Sequence, residues 1–193
     1  KIALFTNVSK DAVFSALDAS SIYDIPIMFS EQKIDNFMMK NFDLKERRLN
    51  LKPWRDYKDK VKKCKKKVKI AMIGKYVDLL DSYKSLNEAL YHAGVINNKI
   101  VDIIYLDSEK LTKRNIHQLK EMNGVLVPGG FGDRGIEGKI LAAEYARVNN
   151  IPYFGICLGM QISVIEFARN VMKLSKANST EFDKNTKNPV VAL

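Results

Sequence analysis

The residues with the plainest chemical potential are Gly155-Ile156-Cys157-Leu158-Gly159, set between the apolar run Ile151 to Ile156 and a helical pattern from Leu158 to about Met172. A strand that stops at a cysteine and turns at once into a helix is a nucleophile elbow, and glycines two residues to either side let the backbone cross itself without a Cβ clash. Such a turn holds the thiol out at the strand's carboxyl end. It also sets the thiol at the helix's positive N-terminus, where a thiolate is favoured. The plainer alternative is a buried structural cysteine in an ordinary strand-turn-helix. The flanking glycines, with Gln161 one turn into the helix, favour the catalytic reading.

Two further segments carry groups that such a thiol needs. Pro128-Gly129-Gly130-Phe131-Gly132 frees backbone to aim N–H groups at a neighbouring site. The amides of Gly130 and Leu158 could then form a two-donor hole for a tetrahedral oxyanion, an effect worth about 3–4 kcal/mol per donor. Taken alone, the glycine run is a tight turn. Ala177-Asn178-Ser179-Thr180-Glu181-Phe182 follows the elbow helix, and the Glu181 carboxylate could hold the amino group of an amino-acid substrate. Taken alone, Glu181 is a surface loop residue.

These residues need a scaffold that brings strand ends together. From Val68 the pattern alternates regularly: a strand over 68–73, a helix opened by Asp81 or Ser82 and stopped by Gly94, and a strand over 100–106. A helix from Thr112 to about Glu121, a strand over 124–127 and a helix over 135–149 follow. The strand over 151–156, the elbow helix and a fifth strand from Pro189 complete the series. Strands that are almost continuously apolar, separated by helices, predict an open, mainly parallel α/β sheet with helices on both faces, which binds ligands at its carboxyl edge.

Ahead of this domain, residues 1–51 read as a strand at Ile2-Ala3-Leu4-Phe5, then short helices, with Ser9 and Ser21 or Asp24 as caps. Ile34, Phe37, Met38 and Phe42 form a helical stripe that needs a partner, so the segment reads as the helical tail of another α/β domain. Residues 52–67 read as a basic interdomain linker, helical in part, with Cys64 an exposed bystander. Residues 68–193 form the sheet domain. The apolar runs at both ends of the chain suggest an excerpt of a longer polypeptide.

The net charge of +10 is local: residues 52–69 hold ten Lys or Arg against two Asp, and the rest of the chain is nearly balanced. A solvated linker face therefore explains the basicity, and nucleic acid is not an expected partner. No apolar run approaches the roughly 20 residues that span a bilayer. Hydrophobic residues at 46% and charged residues at 28% suit a globular protein. Two cysteines make no disulfide framework, which fits a reducing compartment and a cytoplasmic location.

Gly155 to Gln161, Pro128 to Gly132, Arg134-Gly135-Ile136-Glu137-Gly138 and Ala177 to Phe182 together resemble the CTP synthase family, whose glutaminase half is a class I (triad-type) glutamine amidotransferase. Gly74-Lys75-Tyr76-Val77, Ser82 to Ala89 and Asp18 to Pro26 match as well, the last resembling the end of that family's synthase domain. The resemblance implies a flavodoxin-like or Rossmann-like amidotransferase fold. It implies that Cys157 attacks the glutamine side-chain amide to give a glutamyl thioester and ammonia, and that ammonia converts ATP-activated UTP into CTP. Gly130 and Leu158 would be oxyanion donors, and Gly130, Phe131, Gln161 and Glu181 would hold glutamine. GTP, the family's activator, would lie near Tyr76, Lys84, Phe131, Arg134 and Glu137, and Asp18 near the ATP base. ATP and Mg2+ would be bound mainly by synthase-domain residues outside this chain, with no metal ligand within it. The assembly would be a homotetramer, possible filaments included, with no membrane partner.

A triad thiol needs a base and a group to orient it. His92 and His117, the two histidines, both precede Cys157 on helices ahead of the third strand, and read as structural or exposed. The family's His and Glu are expected beyond Leu193, so the 193-residue chain alone is expected to be inactive. Another elbow-cysteine enzyme, of thiol-peptidase or chaperone-like type, and a non-catalytic basic interaction protein are the alternatives.

Overall fold

The computed structural model describes residues 1–45, 47–75 and 80–192. They divide into two compact units, Lys1–Cys64 and Lys65–Leu193.

The first unit is helical from its start. Ile2–Thr6 is a short helix, α1, and not the expected strand; Asn7 ends it in a left-handed conformation, φ 54°, with its N–H on the Ala3 carbonyl. A short apolar run does not distinguish strand from helix by pattern, and here local hydrogen bonding decides. Leu4 and Phe5 remain 84% and 85% exposed. Ser9 precedes only a 3₁₀ turn, Lys10–Ala12. The Ser21 side chain accepts the Tyr23 N–H at 3.2 Å and opens a second such turn, Ile22–Asp24.

Helix α2 (Ile25–Glu31) follows with Pro26 in its first turn, where the missing N–H has no partner to lose. Helix α3 (Ile34–Asn41) carries the apolar stripe, and its Phe37 ring meets Phe14 edge-on at 5.4 Å. Helix α4 (Lys52–Lys63) holds the basic run. Its Trp54 and Tyr57 lie against Tyr23 at 6.1 and 4.5 Å, and Lys58 pairs with Asp24 at 2.5 Å. Cys64 is buried, contrary to the exposed position expected for it. Its thiol turns back 3.3 Å to the Lys60 carbonyl, among the helix-end carbonyls that lack amide partners.

The second unit is built on strand β1 (Lys66–Gly74). Helix α5 (Lys84–Ile96), entered through a 3₁₀ turn at Leu80–Tyr83, leads to β2 (Lys99–Asp107). Gly94 does not stop α5. It lets the helix lie close on β2: a Cβ there would sit 2.6 Å from Val101 Cγ2 and 2.9 Å from the Lys99 carbonyl. The helix ends instead at Asn97 and Asn98, the latter at φ 55°.

The helix expected from Thr112 shrinks to a 3₁₀ segment, Ile116–Glu121. The Asn115 side chain takes the Thr112 N–H at 2.8 Å in a local turn. Then come β3 (Gly124–Val127), α6 (Ile136–Val148), β4 (Tyr153–Gly155) and α7 (Leu158–Asn170).

The sheet order is β2-β1-β3-β4, every pair parallel. Alternate residues face opposite layers. Ala71, Ile73, Val125 and Val127 pack with Ala142 and Ala146 of α6, while Met72 and Leu126 pack with Leu86 and Leu90 of α5. The run at Pro189–Val191, β6, is not a fifth strand of this sheet. It pairs with a two-residue strand, β5 (Asn178–Ser179), and Val190 and Val191 pack on the α6–α7 core. Among the described residues no helix is long and apolar enough to cross a membrane.

Candidate active site

Strand order reverses between β1 and β3, so the crevice outside their carboxyl ends is where a sheet of this topology receives ligands. The elbow stands beside it. Ile156 donates to the Val127 carbonyl at 3.0 Å, and the chain then folds sharply at Cys157, φ 52° and ψ −108°. A Cβ at Gly155 would lie 2.3 Å from the Gly159 carbonyl carbon, and one at Gly159 would lie 2.1 Å from the Val127 oxygen. Only glycines admit this crossing. The Cys157 carbonyl accepts from Met160 and Gln161 at 3.0 and 3.2 Å, which starts α7 with the Cys157 thiol exposed at its N-terminus. From the buried side, the Tyr153 hydroxyl donates to the Gly159 carbonyl at 2.7 Å, and burial pushes that phenol far above its ordinary range.

The glycine loop after β3 lies against the elbow. The Cβ position of Gly129 is 3.5 Å from Cys157 Cβ, and that of Gly130 is 3.5 Å from Leu158 Cδ2. Among the described residues, the Gly130 and Leu158 amides donate to no protein acceptor. The loop is also fastened to the turn after β5, since the Gly132 N–H donates to Glu181 Oε1 at 3.2 Å. Phe131 is largely exposed at the loop tip. Gln161 lies within α7 with its Oε1 buried and unpartnered.

Cys157, Gly130, Leu158, Phe131 and Glu181 thus fall along one edge. Of the residues expected at a nucleotide, Arg134 and Glu137 are held in ion pairs. Arg134 clasps Glu109 through Nε and NH2 at 2.7 and 2.9 Å, and this hydrogen bonding holds the Glu109 carboxyl below the usual range. Glu137 takes Arg169 at 2.9 and 3.1 Å, and Arg169 also donates to the Ala177 carbonyl ahead of β5. Lys84 is exposed at the first position of α5, and Asp18 is exposed in the first unit. Tyr76 lies outside the described residues.

Both histidines lie on elements other than those that form the elbow and the glycine loop. His92 belongs to α5, which packs on β2 at the sheet edge opposite β4. His117 is exposed in the 3₁₀ segment that leads to the amino end of β3. No group of three or more His, Cys, Asp or Glu among the described residues is arranged to hold a metal ion.

Two lysines at this edge escaped the sequence reading. Lys75, the first residue after β1, donates its ammonium hydrogen to the Phe131 carbonyl. Lys139, on the face of α6 shared by Ile136, Ile140 and Ala143, is 2% exposed. Burial first, and the nearby Lys75 charge second, bring its pKa down to about 8, with Glu109 opposing. A lysine inside an apolar helical stripe was the sequence signal for it.

Residues 78–189 match the family described as Glutamine amidotransferase class-I, and residues 1–44 match CTP synthase N-terminus. The chain is 53% identical to a CTP synthase of Caldanaerobacter subterraneus subsp. tengcongensis and 52% identical to one of Nitratidesulfovibrio vulgaris. Each match covers 100% of this chain and 36% of the relative, so the chain spans about a third of their length. A solved structure of the Trypanosoma brucei CTPS glutaminase domain with bound acivicin is similar at TM-score 0.62 and 46% identity, over 65% of this chain and 50% of that one. The chain belongs to the class-I glutamine amidotransferase family.

Proposed function

We propose that this chain is part of a glutamine-hydrolysing CTP synthase, and that residues 68–193 supply the nucleophile and oxyanion side of its glutaminase site. Residues 1–51 are the tail of the synthase domain in this reading, and residues 52–67 the linker. The observation that carries it is the Cys157 elbow with the glycine loop against it and, among the described residues, the Gly130 and Leu158 amides free of protein acceptors.

The Cys157 thiolate attacks the glutamine δ-carbonyl carbon. The carbonyl oxygen gains the charge and takes the Gly130 and Leu158 N–H groups. As the C–N bond breaks, the nitrogen collects a proton and leaves as ammonia, and water then cleaves the thioester to glutamate and free thiol. In this reading Glu181, which accepts the Gly132 N–H, would also take the substrate's α-ammonium, and Gln161 and the exposed Phe131 would complete the glutamine site. Ammonia would go on to UTP activated by ATP with Mg2+ in a cytoplasmic homotetramer able to form filaments. ATP would lie near Asp18, and GTP would engage Phe131, Lys84 and Tyr76. Arg134 and Glu137 would have to exchange Glu109 and Arg169 for the nucleotide. The 53% and 52% identical relatives, named CTP synthase, support the CTP-forming part of this reading.

The general base and its orienting carboxylate are expected beyond residue 193, so residues 1–193 alone should hydrolyse glutamine far below ordinary enzyme rates. The test of the main reading is labelling of Cys157 in the full-length protein. A glutamine-mimicking electrophile should modify it, with protection by glutamine and loss in Cys157→Ala. Labelling by a generic alkylator but not by the glutamine mimic would overturn amidotransfer.

A further inference from the structure

We propose that Lys75 is a positioning residue for the oxyanion hole: it anchors the Phe131–Gly132 peptide and thereby holds the glycine loop against the elbow. The inference rests on the glutaminase reading above. The Phe131 carbonyl and the Gly132 N–H belong to one peptide unit. Its oxygen accepts from the Lys75 ammonium, and its N–H donates to the Glu181 carboxylate at 3.2 Å. A cation at the oxygen and an anion at the N–H both favour the same orientation of the peptide dipole, and hydrogen bonds to ionised partners are the stronger kind. Reversing the peptide would set its oxygen at the carboxylate and its N–H at the ammonium.

The clamp bridges the point where strand order reverses. Lys75 leaves the carboxyl end of β1, and the loop leaves that of β3, the neighbouring strand. With glycines at 129, 130 and 132, the loop has little conformational restraint of its own. The Lys139 ammonium, buried on α6, is close enough to Lys75 to feel its like charge, so Lys75 is disfavoured on that side and favoured at the Phe131 carbonyl. Glu181 has a second task in the proposed reaction, since the substrate's α-ammonium draws on the same carboxylate. The Glu109 carboxylate also attracts Lys75, but Arg134 already clasps it through two hydrogen bonds, so Lys75 is the anchor that persists when glutamine is bound.

Loss of the anchor should therefore affect the transition state more than substrate binding. A misplacement of about 1 Å costs up to about 10²-fold in rate, and loss of a whole oxyanion donor costs about 10²–10³-fold. In the full-length protein, Lys75→Met should lower kcat for glutamine hydrolysis by about 10–100-fold and change KM by less than about threefold. Lys75→Arg, which keeps a charged donor, should recover most of the rate. Iodoacetamide should alkylate Cys157 at the wild-type rate in every variant, reporting an intact elbow. Should Lys75→Met fail to fold, Lys75→Gln is read in its place. A variant with kcat within twofold of wild type, or a loss confined to KM, overturns the role of Lys75 while the glutaminase reading stands. A wild-type protein that does not hydrolyse glutamine removes both.

Discussion

Replacing Lys139 by methionine should stabilise the protein at neutral pH, and the gain should fade in alkali. The Lys139 ammonium is almost fully enclosed, no ion pair holds it among the described residues, and Lys75 adds like charge; Glu109 opposes the shift but is itself clasped by Arg134. Its pKa falls from 10.5 to about 8. Between those values the unfolded chain binds a proton that the folded protein has released, so stability contributed by this group rises with pH across that window and is lowest below pH 8. At about 1.4 kcal/mol per unit, the charged group costs the fold about 3 kcal/mol at pH 7 and about 1 kcal/mol at pH 10.

Methionine keeps the length and apolar stem of the lysine without the charge, so it removes that cost without opening a cavity at this buried position. Urea unfolding of wild type and K139M at pH 7 and pH 10 measures it. The variant should be more stable by about 1–3 kcal/mol at pH 7, with the difference shrinking by more than half at pH 10. Other groups that titrate in this range cancel in the comparison. A variant that is no more stable than wild type at pH 7, with a difference insensitive to pH, would refute the reasoning.

Three further outcomes follow from the packing. Gly159→Ala drives a Cβ to 2.1 Å from the Val127 carbonyl oxygen and should cost about 3 kcal/mol or more, seen as a large fall in Tm. Arg147→Met leaves the Glu166 carboxylate, 3% exposed, with only the Asn170 amide among the described residues and should cost about 3 kcal/mol, whereas adding Glu166→Leu should recover most of it in the same denaturation assay. Cys157→Gly should abolish glutamine hydrolysis and raise stability by about 1 kcal/mol. Glycine relieves about 1–3 kcal/mol of backbone strain at φ 52°, ψ −108° and gives back about 0.5–1 kcal/mol in unfolded-chain entropy.

The parallel sheet and its flanking helices were legible because β3 is wholly apolar, the stretches 70–73 of β1 and 103–106 of β2 are continuously apolar, and the breaks between the strands are polar. The elbow was legible for a different reason: two glycines at fixed offsets from a cysteine have few other uses. The readings that failed were those in which one local signal had two physical meanings. Ile2 to Phe5 is apolar enough for a strand, but its backbone bonds close locally on Ala3 and Asn7. Gly94 looks like a helix stop and is instead a contact surface for β2. Val190 and Val191 look like another sheet strand, but their partner is the short segment at Asn178 and Ser179, which has no strand signature. Lys75 was invisible as a clamp because its acceptor is a backbone carbonyl 56 residues away, and backbone acceptors leave no mark in sequence.

Four departures from ordinary packing lie in or beside the elements that leave the sheet's carboxyl end. Cys157 sits in a strained backbone conformation, Lys139 carries a buried ammonium, and the Ser108 hydroxyl and Gln161 Oε1 are buried without partners. Ser108 follows β2 directly, and its Oγ would be 2.2 Å from a Cβ at Gly135, just ahead of α6. Each feature is unfavourable on its own, and each persists only if its surroundings over-determine it. The strands beneath provide that: Ala71, Met72, Ile73 and Val127 are wholly buried, with their backbone fixed by parallel neighbours. A cysteine serving only to fill space would need neither a strained φ nor an exposed thiol. The strained Cys157, the Gly130 and Leu158 amides without protein acceptors among the described residues, and the basic charge of Lys75 and Lys139 along one sheet edge therefore argue for chemistry at that edge independently of any relative.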